Sequence, residues 1–367
     1  YQSNVPCRKV HRFFFGMYLR IMRAGQRVLF VQTAFIGDAI LATSMVETWH
    51  AARPQDEIHL CVRKGNESLF AQHPFVKRTW VWDKSGGSLK RYARLIGLSA
   101  ALRSMRFGAV FTPHRHASSG WLAGLSGASV RSAFAVHPLA RVFTHLHAHR
   151  FGDGTHEVER NHDLIREWAN GLMAPRLYPS PSDARRWDAL SNGSIGSWVI
   201  MTPMSQWQTK QWPIAHWEGL IQTQLEGDSE LNMCLMGSPS DAPFLTELAR
   251  AVNSDRVHVA AGWKLLEVAY AMSQVKAVVT NDSGPLHIAS AMNAPTVAVF
   301  CSTSPSFGFG PLSAHHEVVE IQEKLACRPC GMHGHRRCPE SHFRCGFDVN
   351  VDQVYQAMHR VIAAASR

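Results

Sequence analysis

The chain has 367 residues, of which 46% are hydrophobic and 18% are charged. This length suggests two domains, and the composition excludes an intrinsically disordered chain. Lysine and arginine total 38 against 28 aspartate and glutamate, and the formal charge of +10 favours anionic partners such as phosphates or an acidic membrane surface. We expect no nucleic-acid partner, because no nucleic-acid-binding motif and no run of five basic residues occurs.

Residues 1–26 are predicted to form an N-terminal amphipathic extension. Residues 10–22 combine arginines with many aromatic and apolar residues, and this segment is too short and too charged to span a bilayer. It also lacks the apolar core and cleavage site of a signal peptide. An amphipathic helix on a membrane surface and a helix packed on the protein's own body are the alternatives, and the second is the more common.

From residue 27 the sequence alternates short apolar runs with helical periodicity. Strands are predicted over residues 27–32, 57–62, 79–82 and 109–112, and helices over 39–52 and 89–105. Strands that alternate with helices indicate βαβ units and a parallel sheet. Residues 175–183 are rich in proline and serine and form the best candidate for a linker.

The same alternation restarts after the linker. It predicts strands over 197–202, 231–236, 277–280 and 296–300, and helices over 214–224, 242–252, 265–273, 286–292 and 351–365. The fold class is therefore α/β, with two doubly wound, Rossmann-like domains facing a cleft. We expect a first Rossmann-like domain over 27–178, a second one over 179–350 and a C-terminal helix over 351–367.

The first candidate site follows the first predicted strand, where the sequence places Gly37 and Asp38. Glycine permits a tight turn or the close approach of a ligand to the backbone. Asp38 falls at the start of the next predicted helix, where it could cap the helix or face the cleft and deprotonate an acceptor hydroxyl. The spacing alone leaves both roles open, and capping is the more common.

The second candidate site is the loop over residues 203–213, which carries Ser205, Gln206 and Lys210. A hydroxyl-bearing loop before a helix N-terminus is a natural anion site. Lys210 adds a mobile positive charge that suits a diphosphate. The alternative is an ordinary exposed lysine on a connecting loop.

The third candidate site is the segment over residues 280–287, again between a predicted strand and a predicted helix. Asn281 or Asp282 could cap this helix, and Ser283 and Gly284 would present backbone amides to a phosphate. His287 lies one turn further along and faces the same end. A capped helix start without any ligand would look similar.

All three motifs follow strands and precede helices, so all are expected at the ligand-binding edges of their domains. One domain offers a carboxylate, and the other offers hydroxyls, amides and a lysine. This pairing suits an acceptor hydroxyl on one side and a nucleotide-diphosphate donor on the other. No long acidic metal-binding motif lies near these loops, so Lys210 and backbone amides are expected to stabilise the leaving group.

At these motifs the sequence resembles the ADP-heptose:lipopolysaccharide heptosyltransferase family, glycosyltransferase family 9, from Arg27 onward. The most specific segment is 280–305, followed by residues 209–213 and the pair at 37–38. The resemblance implies a GT-B fold, inverting and metal-independent transfer, ADP-heptose as donor and a lipopolysaccharide core acceptor. The expected location is the cytoplasm or, as a peripheral protein, the cytoplasmic face of the inner membrane.

The resemblance also implies residue roles. Asp38 matches the catalytic base and Lys210 the lysine that neutralises the donor diphosphate. The implied donor-binding residues are Gly37, Ser205, Gln206, Asp241, Asp282, Ser283, Gly284 and His287. Basic residues expected on first-domain loops are candidates for acceptor binding: Lys64, Arg115, His116 and Arg131. Pro203 and Met204 depart from the small residues that often precede the phosphate loop in the family.

Eight cysteines occur, and Cys61, Cys234 and Cys301 fall in strand-like apolar runs that predict ordinary buried thiols. Four others form a Cys-rich segment over residues 327–345 with the spacing C-x2-C-x7-C-x6-C: Cys327, Cys330, Cys338 and Cys345. A structural zinc or iron, disulfides and unpaired thiols are the alternatives. A cytosolic location disfavours disulfides, and no cofactor is expected for catalysis.

The sequence therefore predicts an inverting glycosyltransferase that moves heptose from ADP-heptose to a hydroxyl of a lipopolysaccharide inner-core sugar. Heptosyl transfer to a protein acceptor is one alternative. A non-catalytic nucleotide-sugar-binding module is another, although the presence of both Asp38 and Lys210 argues against it.

Overall fold

The computed structural model describes residues 24–194, 196–227 and 230–366. The predicted N-terminal segment over residues 10–22 and Cys7 therefore lie outside the described residues. Each half of the chain forms one six-stranded sheet, and every strand pairs in parallel with its neighbours. This confirms the predicted α/β class with two parallel sheets.

In the first half, the described residues form six strands and five α-helices. The strands are β1 (Arg27–Gln32), β2 (Glu57–Arg63), β3 (Val76–Trp82), β4 (Ala109–Thr112), β5 (Val130–Phe134) and β6 (His145–His147). The helices are α1 (Ile36–Leu41), α2 (Thr43–Ala52), α3 (Ser88–Ser104), α4 (Ala117–Leu125) and α5 (Glu157–Asp163). The central strands are buried on both faces because helices cover the sheet on either side.

The part of the second half that the structure describes forms six strands and seven α-helices. The strands are β7 (Trp198–Thr202), β8 (Asn232–Gly237), β9 (Val257–Ala261), β10 (Ala277–Asn281), β11 (Thr296–Phe300) and β12 (His316–Glu320). The helices are α6 (Pro181–Ser191), α7 (Ile214–Gly227), α8 (Ala242–Val252), α9 (Leu265–Met272), α10 (Gly284–Ala291), α11 (Arg344–Phe347) and α12 (Val351–Ala365).

The two sheets share one topology. The first has the order β3-β2-β1-β4-β5-β6, and the second, read in the same direction, has the order β9-β8-β7-β10-β11-β12. In each sheet the strand order reverses beside the first strand, between β1 and β4 and between β7 and β10. Ligands of doubly wound sheets bind at such switch points, beyond the carboxyl ends of the strands. All three sequence motifs follow β1, β7 or β10, so the topology places all of them at the two switch points.

The predicted linker is only partly extended. Residues 172–180 contain neither helix nor strand, but α6 begins at Pro181, inside the predicted linker. Ser180 starts this helix with a capping box, because its backbone N–H donates to Asp183 Oδ2 at 2.7 Å. The helix packs against α9, and α12 packs against α7, β11 and β12. Both α6 and α12 are therefore part of the second half.

The remaining differences from the sequence prediction concern weak local signals. The strands β5, β6, β9 and β12 were not predicted, because their short sequences contain histidine, arginine or serine instead of an apolar run. The predicted helix over 39–52 is two helices, α1 and α2, divided at Ala42. Within the described residues, no helix has the length and apolarity that crossing a membrane requires.

Candidate active site

A cleft of about 660 Å³ lies between the two sheets, at their switch points. Gly37 and Asp38 contribute from the first half, and the second half contributes the rest of the predicted donor-binding set. The predicted residues that line it are Gly37, Asp38, Ser205, Gln206, Lys210, Asp241, Asp282, Ser283, Gly284 and His287. The structure thus brings together all of the predicted catalytic and donor-binding residues.

The N-terminal ends of α1 and α10 face one another across this cleft at very short range. A Cβ atom placed on Gly37 would lie 2.5 Å from Cδ2 of His287, and one placed on Gly284 would lie 2.9 Å from Cγ2 of Ile36. Only residues without a side chain allow this approach. The requirement for glycine at both positions therefore comes from the meeting of the two halves.

Asp38 lies in the first turn of α1, but it does not cap the helix. The N-cap residue is Phe35, so the capping role considered for Asp38 is wrong. Burial, reinforced by the negative charge of Glu157, raises the pKa of Asp38 to about 7. Backbone hydrogen bonds and the positive charge of Arg115 act in the opposite direction without cancelling the rise. A carboxylate with this pKa can accept a proton near neutral pH.

Glu157 belongs to a buried group that also connects the two halves of the protein. Arg160 is fully buried, and its Nη2 donates both to Glu157 Oε2 and to the carbonyl of Phe307, each at 2.8 Å. The backbone N–H of Glu157 donates to the carbonyl of Gly308 at 2.8 Å. Glu157, whose negative charge contributes to the raised pKa of Asp38, is therefore fixed to the second half of the chain. Sequence reasoning missed it because its partners are about 150 residues apart.

Lys210 lies at the end of a single 3-10 turn after β7, with its Nζ 2.7 Å from Oδ2 of Asp282. Thr303 donates its hydroxyl to the same oxygen at 2.6 Å. Both members of the ion pair are largely buried, so their charges are less screened than those of a surface pair. Asp282 therefore holds the lysine at the wall of the cleft.

Asn281 fixes the loop that carries Lys210. Its side-chain oxygen accepts from the backbone N–H of Trp212 at 2.9 Å, and its Nδ2 donates to the carbonyl of Pro203 at 2.7 Å. The expectation that Asn281 or Asp282 caps α10 is therefore wrong, since one ties down a loop and the other pairs with Lys210. A fully buried amide with both ends satisfied gives the loop a defined shape.

The N-cap of α10 is Ser283, and its side chain does not cap the helix. Several side-chain atoms of the described residues are buried without a hydrogen-bond partner, and two of them, Ser283 Oγ and His287 Nδ1, belong to residues that line the cleft. Buried polar atoms are usually paired, so two unpaired atoms in a cleft indicate a ligand site. Burial lowers the pKa of His287 to about 4, so this histidine is neutral near pH 7. An anion here can accept hydrogen bonds from a hydroxyl and first-turn amides.

Asp241, one of the predicted donor-binding residues, also has a structural role. Its Oδ2 accepts from the backbone N–H and the hydroxyl of Ser238 at 2.8 and 2.7 Å, which forms a capping box. Oδ1 is the atom left to meet a ligand.

An apolar part of the cleft adjoins this carboxylate. It was not predicted, because its residues come from separate segments: Met204, Met236, Pro239, Trp263, Leu265 and Val268.

Three of the four acceptor candidates follow first-half strands at the switch-point edge. Lys64 follows β2 and pairs with Asp83 at 3.1 Å, and Arg115 and His116 follow β4. The structure contradicts the predicted acceptor role of Arg131. It is the second residue of β5, at the amino end of the strand, and its Nε donates to the carbonyl of Val142 at 2.6 Å. Arg131 therefore braces the opposite edge of the sheet.

Two residues that sequence reasoning missed connect the loops on the first-half side. His114 Nδ1 lies 2.9 Å from the hydroxyl of Thr33, and Lys84 Nζ donates to the carbonyl of Thr33 at 2.7 Å. Burial, followed by the charge of Lys84, lowers the pKa of His114 to about 3 and keeps the ring neutral. These bonds hold together the loops after β1, β3 and β4.

The Cys-rich segment packs against the loop that carries Lys210. Thr209 accepts from the backbone N–H of His335 at 2.7 Å, and Cys330 donates its N–H to the carbonyl of Ser302 at 2.7 Å. In the described part of the chain, no three His, Cys, Asp or Glu side chains are grouped so that they could hold a metal ion. The predicted zinc or iron site is therefore not supported, and its four cysteines are free thiols.

His333 was not predicted as a residue of the cleft, but it lines the cleft together with Met332. The prediction of ordinary buried thiols is confirmed for Cys61, Cys234 and Cys301.

The two facing sheets of identical topology, with a shared cleft at their switch points, define the GT-B fold. The family model described as Glycosyltransferase family 9 (heptosyltransferase) matches residues 96–338, which is more than half of the chain. The chain belongs to glycosyltransferase family 9. It is accordingly a glycosyltransferase by family, as the sequence predicted.

Curated relatives extend the similarity over most of the chain. Lipopolysaccharide heptosyltransferase 1 of Pseudomonas aeruginosa is 24% identical over 320 residues, covering 83% of this chain and 86% of the relative. Lipopolysaccharide heptosyltransferase 2 of Escherichia coli is 24% identical over 310 residues, covering 80% and 88%.

Solved structures share the fold. The E. coli ADP-heptose lps heptosyltransferase II superposes with a TM-score of 0.75 at 20% identity, over 93% of this chain and all (100%) of that one. The E. coli heptosyltransferase WaaC with ADP gives 0.70 at 21% identity, over 91% and 99%.

Proposed function

We propose that this protein transfers heptose from ADP-heptose to a hydroxyl of a lipopolysaccharide inner-core sugar, with inversion at the anomeric carbon and without a catalytic metal. The observation that carries the proposal is the placement of Asp38 opposite Lys210, Asp282 and His287 across one cleft. The names of the relatives support the sugar and the acceptor class. A solved structure of E. coli heptosyltransferase WaaC with ADP-2-deoxy-2-fluoro heptose supports the donor.

The donor occupies the second half of the chain in this proposal. The apolar part of the cleft around Met236 and Trp263 accepts the nucleobase, and Asp241 Oδ1 contacts the ribose. The diphosphate lies at the N-terminus of α10, where the hydroxyl of Ser283 and the first-turn amides can donate hydrogen bonds to it. This arrangement directs the heptose towards Gly37 and the carboxylate of Asp38.

The chemistry divides between the two halves. Asp38 takes the proton of the acceptor hydroxyl as its oxygen forms a bond to the anomeric carbon. The bond from that carbon to the diphosphate oxygen breaks on the opposite face, and ADP leaves with the electron pair. Inversion follows because attack and departure occur on opposite faces in a single displacement.

The charge that develops on ADP meets Lys210, the neutral ring of His287 and the amides of α10. Preorganised donors aimed at a developing charge are usually the largest catalytic contribution. Asp282 keeps the ammonium group of Lys210 in place before the donor arrives. Ser205 and Gln206 on the same loop complete the diphosphate site in this proposal.

The acceptor lies against the first half, over residues 27–178, and the donor against residues 179–350. Lys64, Arg115 and His116 are the proposed acceptor contacts, whereas Arg131 is excluded by its position at the far edge of the sheet. A cationic wall suits an acceptor that carries phosphate or carboxylate groups. We place the reaction at the cytoplasmic face of the inner membrane.

The test is transfer from labelled ADP-heptose to a panel of acceptors, with the chelator EDTA present throughout. Transfer to a deacylated inner-core oligosaccharide, with one ADP released per sugar, is expected. Transfer only to a polypeptide would replace the acceptor assignment. ADP binding without transfer to any acceptor would identify a non-catalytic binding module, and loss of transfer with EDTA would overturn the metal-independent chemistry.

A further inference from the structure

Helix α3 carries an unusual solvent-exposed face. Its buried side, with Leu95 and Leu102, packs into the core of the first half. Its exposed side presents Leu89, Tyr92 and Ile96, with 86%, 58% and 66% of their surfaces accessible. Tyr92 and Ile96 follow Leu89 by three and seven residues, so the three side chains lie on one face of the helix. Scattered exposed apolar residues are normal, but an aligned set marks an interaction site.

The charge of α3 is entirely positive. The helix contains four cations, Lys90, Arg91, Arg94 and Arg103, and no acidic residue. Arg94 is paired with Asp83 at 3.1 Å, whereas Lys90 and Arg91 form no ion pair within the described residues. An apolar stripe with unneutralised cations is the pattern of a helix that lies in the interface of an anionic bilayer.

A neighbouring helix enlarges the apolar surface. Helix α4 packs beside α3 and exposes Trp121 and Leu125, which are four residues apart and so share a face. Tryptophan is favoured at the boundary between water and lipid, because its ring is apolar and its N–H is polar.

The start of α3 also lies beside the acceptor side of the cleft. Burial, then the charges of Lys84 and Arg91, lowers the pKa of His116, which places Arg91 near this proposed acceptor contact. The loop before α3 is tied to the same region, because Lys84 donates to the carbonyl of Thr33. A bilayer held against α3 would therefore be next to the opening that receives the acceptor.

We infer that the exposed face of α3, with Trp121 and Leu125 of α4, docks the enzyme on an anionic lipid bilayer. The apolar side chains enter the headgroup region, and Lys90 and Arg91 meet the lipid phosphates. The inference rests on the proposed function in one respect: the acceptor is taken to be anchored in that bilayer. Docking would raise the local concentration of acceptor at the cleft and would leave the chemistry unchanged.

The experiment measures co-sedimentation of the full chain with two kinds of vesicle. One kind contains phosphatidylethanolamine and phosphatidylglycerol, and the other contains phosphatidylcholine alone. The test variant combines Leu89→Ser, Tyr92→Ser and Ile96→Ser, which leaves the buried face of α3 intact. The control variant combines Leu172→Ser, Ile214→Ser and Phe244→Ser, three exposed apolar residues located elsewhere.

We expect the unmodified chain to bind the anionic vesicles and to lose this binding with added salt. The test variant should partition at least about tenfold more weakly, and the control variant should bind normally. Transfer to a water-soluble acceptor should be the same in all three proteins, whereas transfer to a vesicle-bound acceptor should fall in the test variant alone. The soluble assay separates failure of the docking surface from failure of the proposed function.

Two results would overturn the inference. Equal binding of the test variant and the unmodified chain to anionic vesicles would show that other residues make the membrane contact. A change from dimer to monomer in the test variant by light scattering, without any change in vesicle binding, would identify the surface as an interface between two copies of the chain.

Discussion

Gly37 and His287 come from opposite halves of the protein, and their contact leaves no space for a side chain at position 37. A Cβ atom at this position would lie 2.5 Å from the Cδ2 atom of His287, which is itself buried. The contact brings the proposed base beside the proposed donor site, because Asp38 follows Gly37 directly. The geometry of the cleft therefore depends on a glycine that performs no chemistry.

Replacement of this glycine tests whether the contact exists in solution. Gly37→Ala should lower kcat/KM by at least about tenfold, because displaced reacting groups lose their alignment. Forcing a methyl group into the contact should also cost about 1–3 kcal/mol of unfolding free energy. Steady-state kinetics and urea denaturation measure the two effects.

Gly87→Ala is the matched control, because a Cβ atom at Gly87 meets no atom within 4 Å and its φ is −68°. This variant should retain both activity and stability. If Gly37→Ala behaved in the same way as Gly87→Ala, the close approach of α1 and α10 would not represent the working enzyme.

The pH dependence of the reaction should report the protonation of Asp38. Its pKa is raised to about 7, and only the deprotonated carboxylate can act as a base. The value of kcat/KM should therefore fall tenfold for each unit of pH well below 7. A base with a pKa of about 7 changes its protonation state between about pH 5 and pH 8. A profile of kcat/KM that is flat over this range would therefore exclude Asp38 as a base with this pKa.

Glu157→Gln should move this limb of the profile to lower pH. The negative charge of Glu157 raises the pKa of Asp38, so its removal lets Asp38 lose its proton more readily. Glutamine can still accept a hydrogen bond from Arg160. Glu167→Gln removes the same charge from an exposed site and should leave the limb in place. A shift to higher pH in Glu157→Gln would contradict the electrostatic argument.

Lys210→Ala should reduce kcat by about a hundredfold or more, because it removes a charge placed for the leaving group. It should also weaken binding of ADP-heptose, measured by calorimetric titration. Asn281 still holds the loop through Trp212 and Pro203 in this variant, so the loop should stay folded. Lys324→Ala, at an exposed lysine, is the control. Unchanged turnover in Lys210→Ala would remove the lysine from the mechanism.

The sequence predicts the site best where the signal is local. An apolar strand followed by glycine, serine or aspartate and then a helix identifies a switch-point loop without any knowledge of the tertiary fold. Three such loops were identified, and the sheet topology places them together. The roles of individual residues within a loop were harder to predict, as Asn281 shows, because its partners lie 69 and 78 residues away.

Residues positioned only by packing could not be predicted. Glu157 and Arg160 reach the site because a first-half helix contacts Phe307 and Gly308 of the second half. Trp263 lines the cleft from a segment that carries no motif, and His333 lines it from the Cys-rich segment, whose spacing pointed to a metal site instead. Arg131 was misplaced for a related reason, since β5 has too weak an apolar pattern to show that Arg131 lies near the amino end of a strand.

The central claim is that Asp38 removes the proton of the acceptor hydroxyl. The most direct test is the turnover of Asp38→Asn with ADP-heptose and a soluble inner-core acceptor, measured together with ADP affinity by calorimetry. A fall in kcat of about a hundredfold to ten-thousandfold with unchanged ADP affinity is predicted, because general base catalysis contributes this much. Turnover near that of the unmodified enzyme, with ADP still bound, would contradict the account.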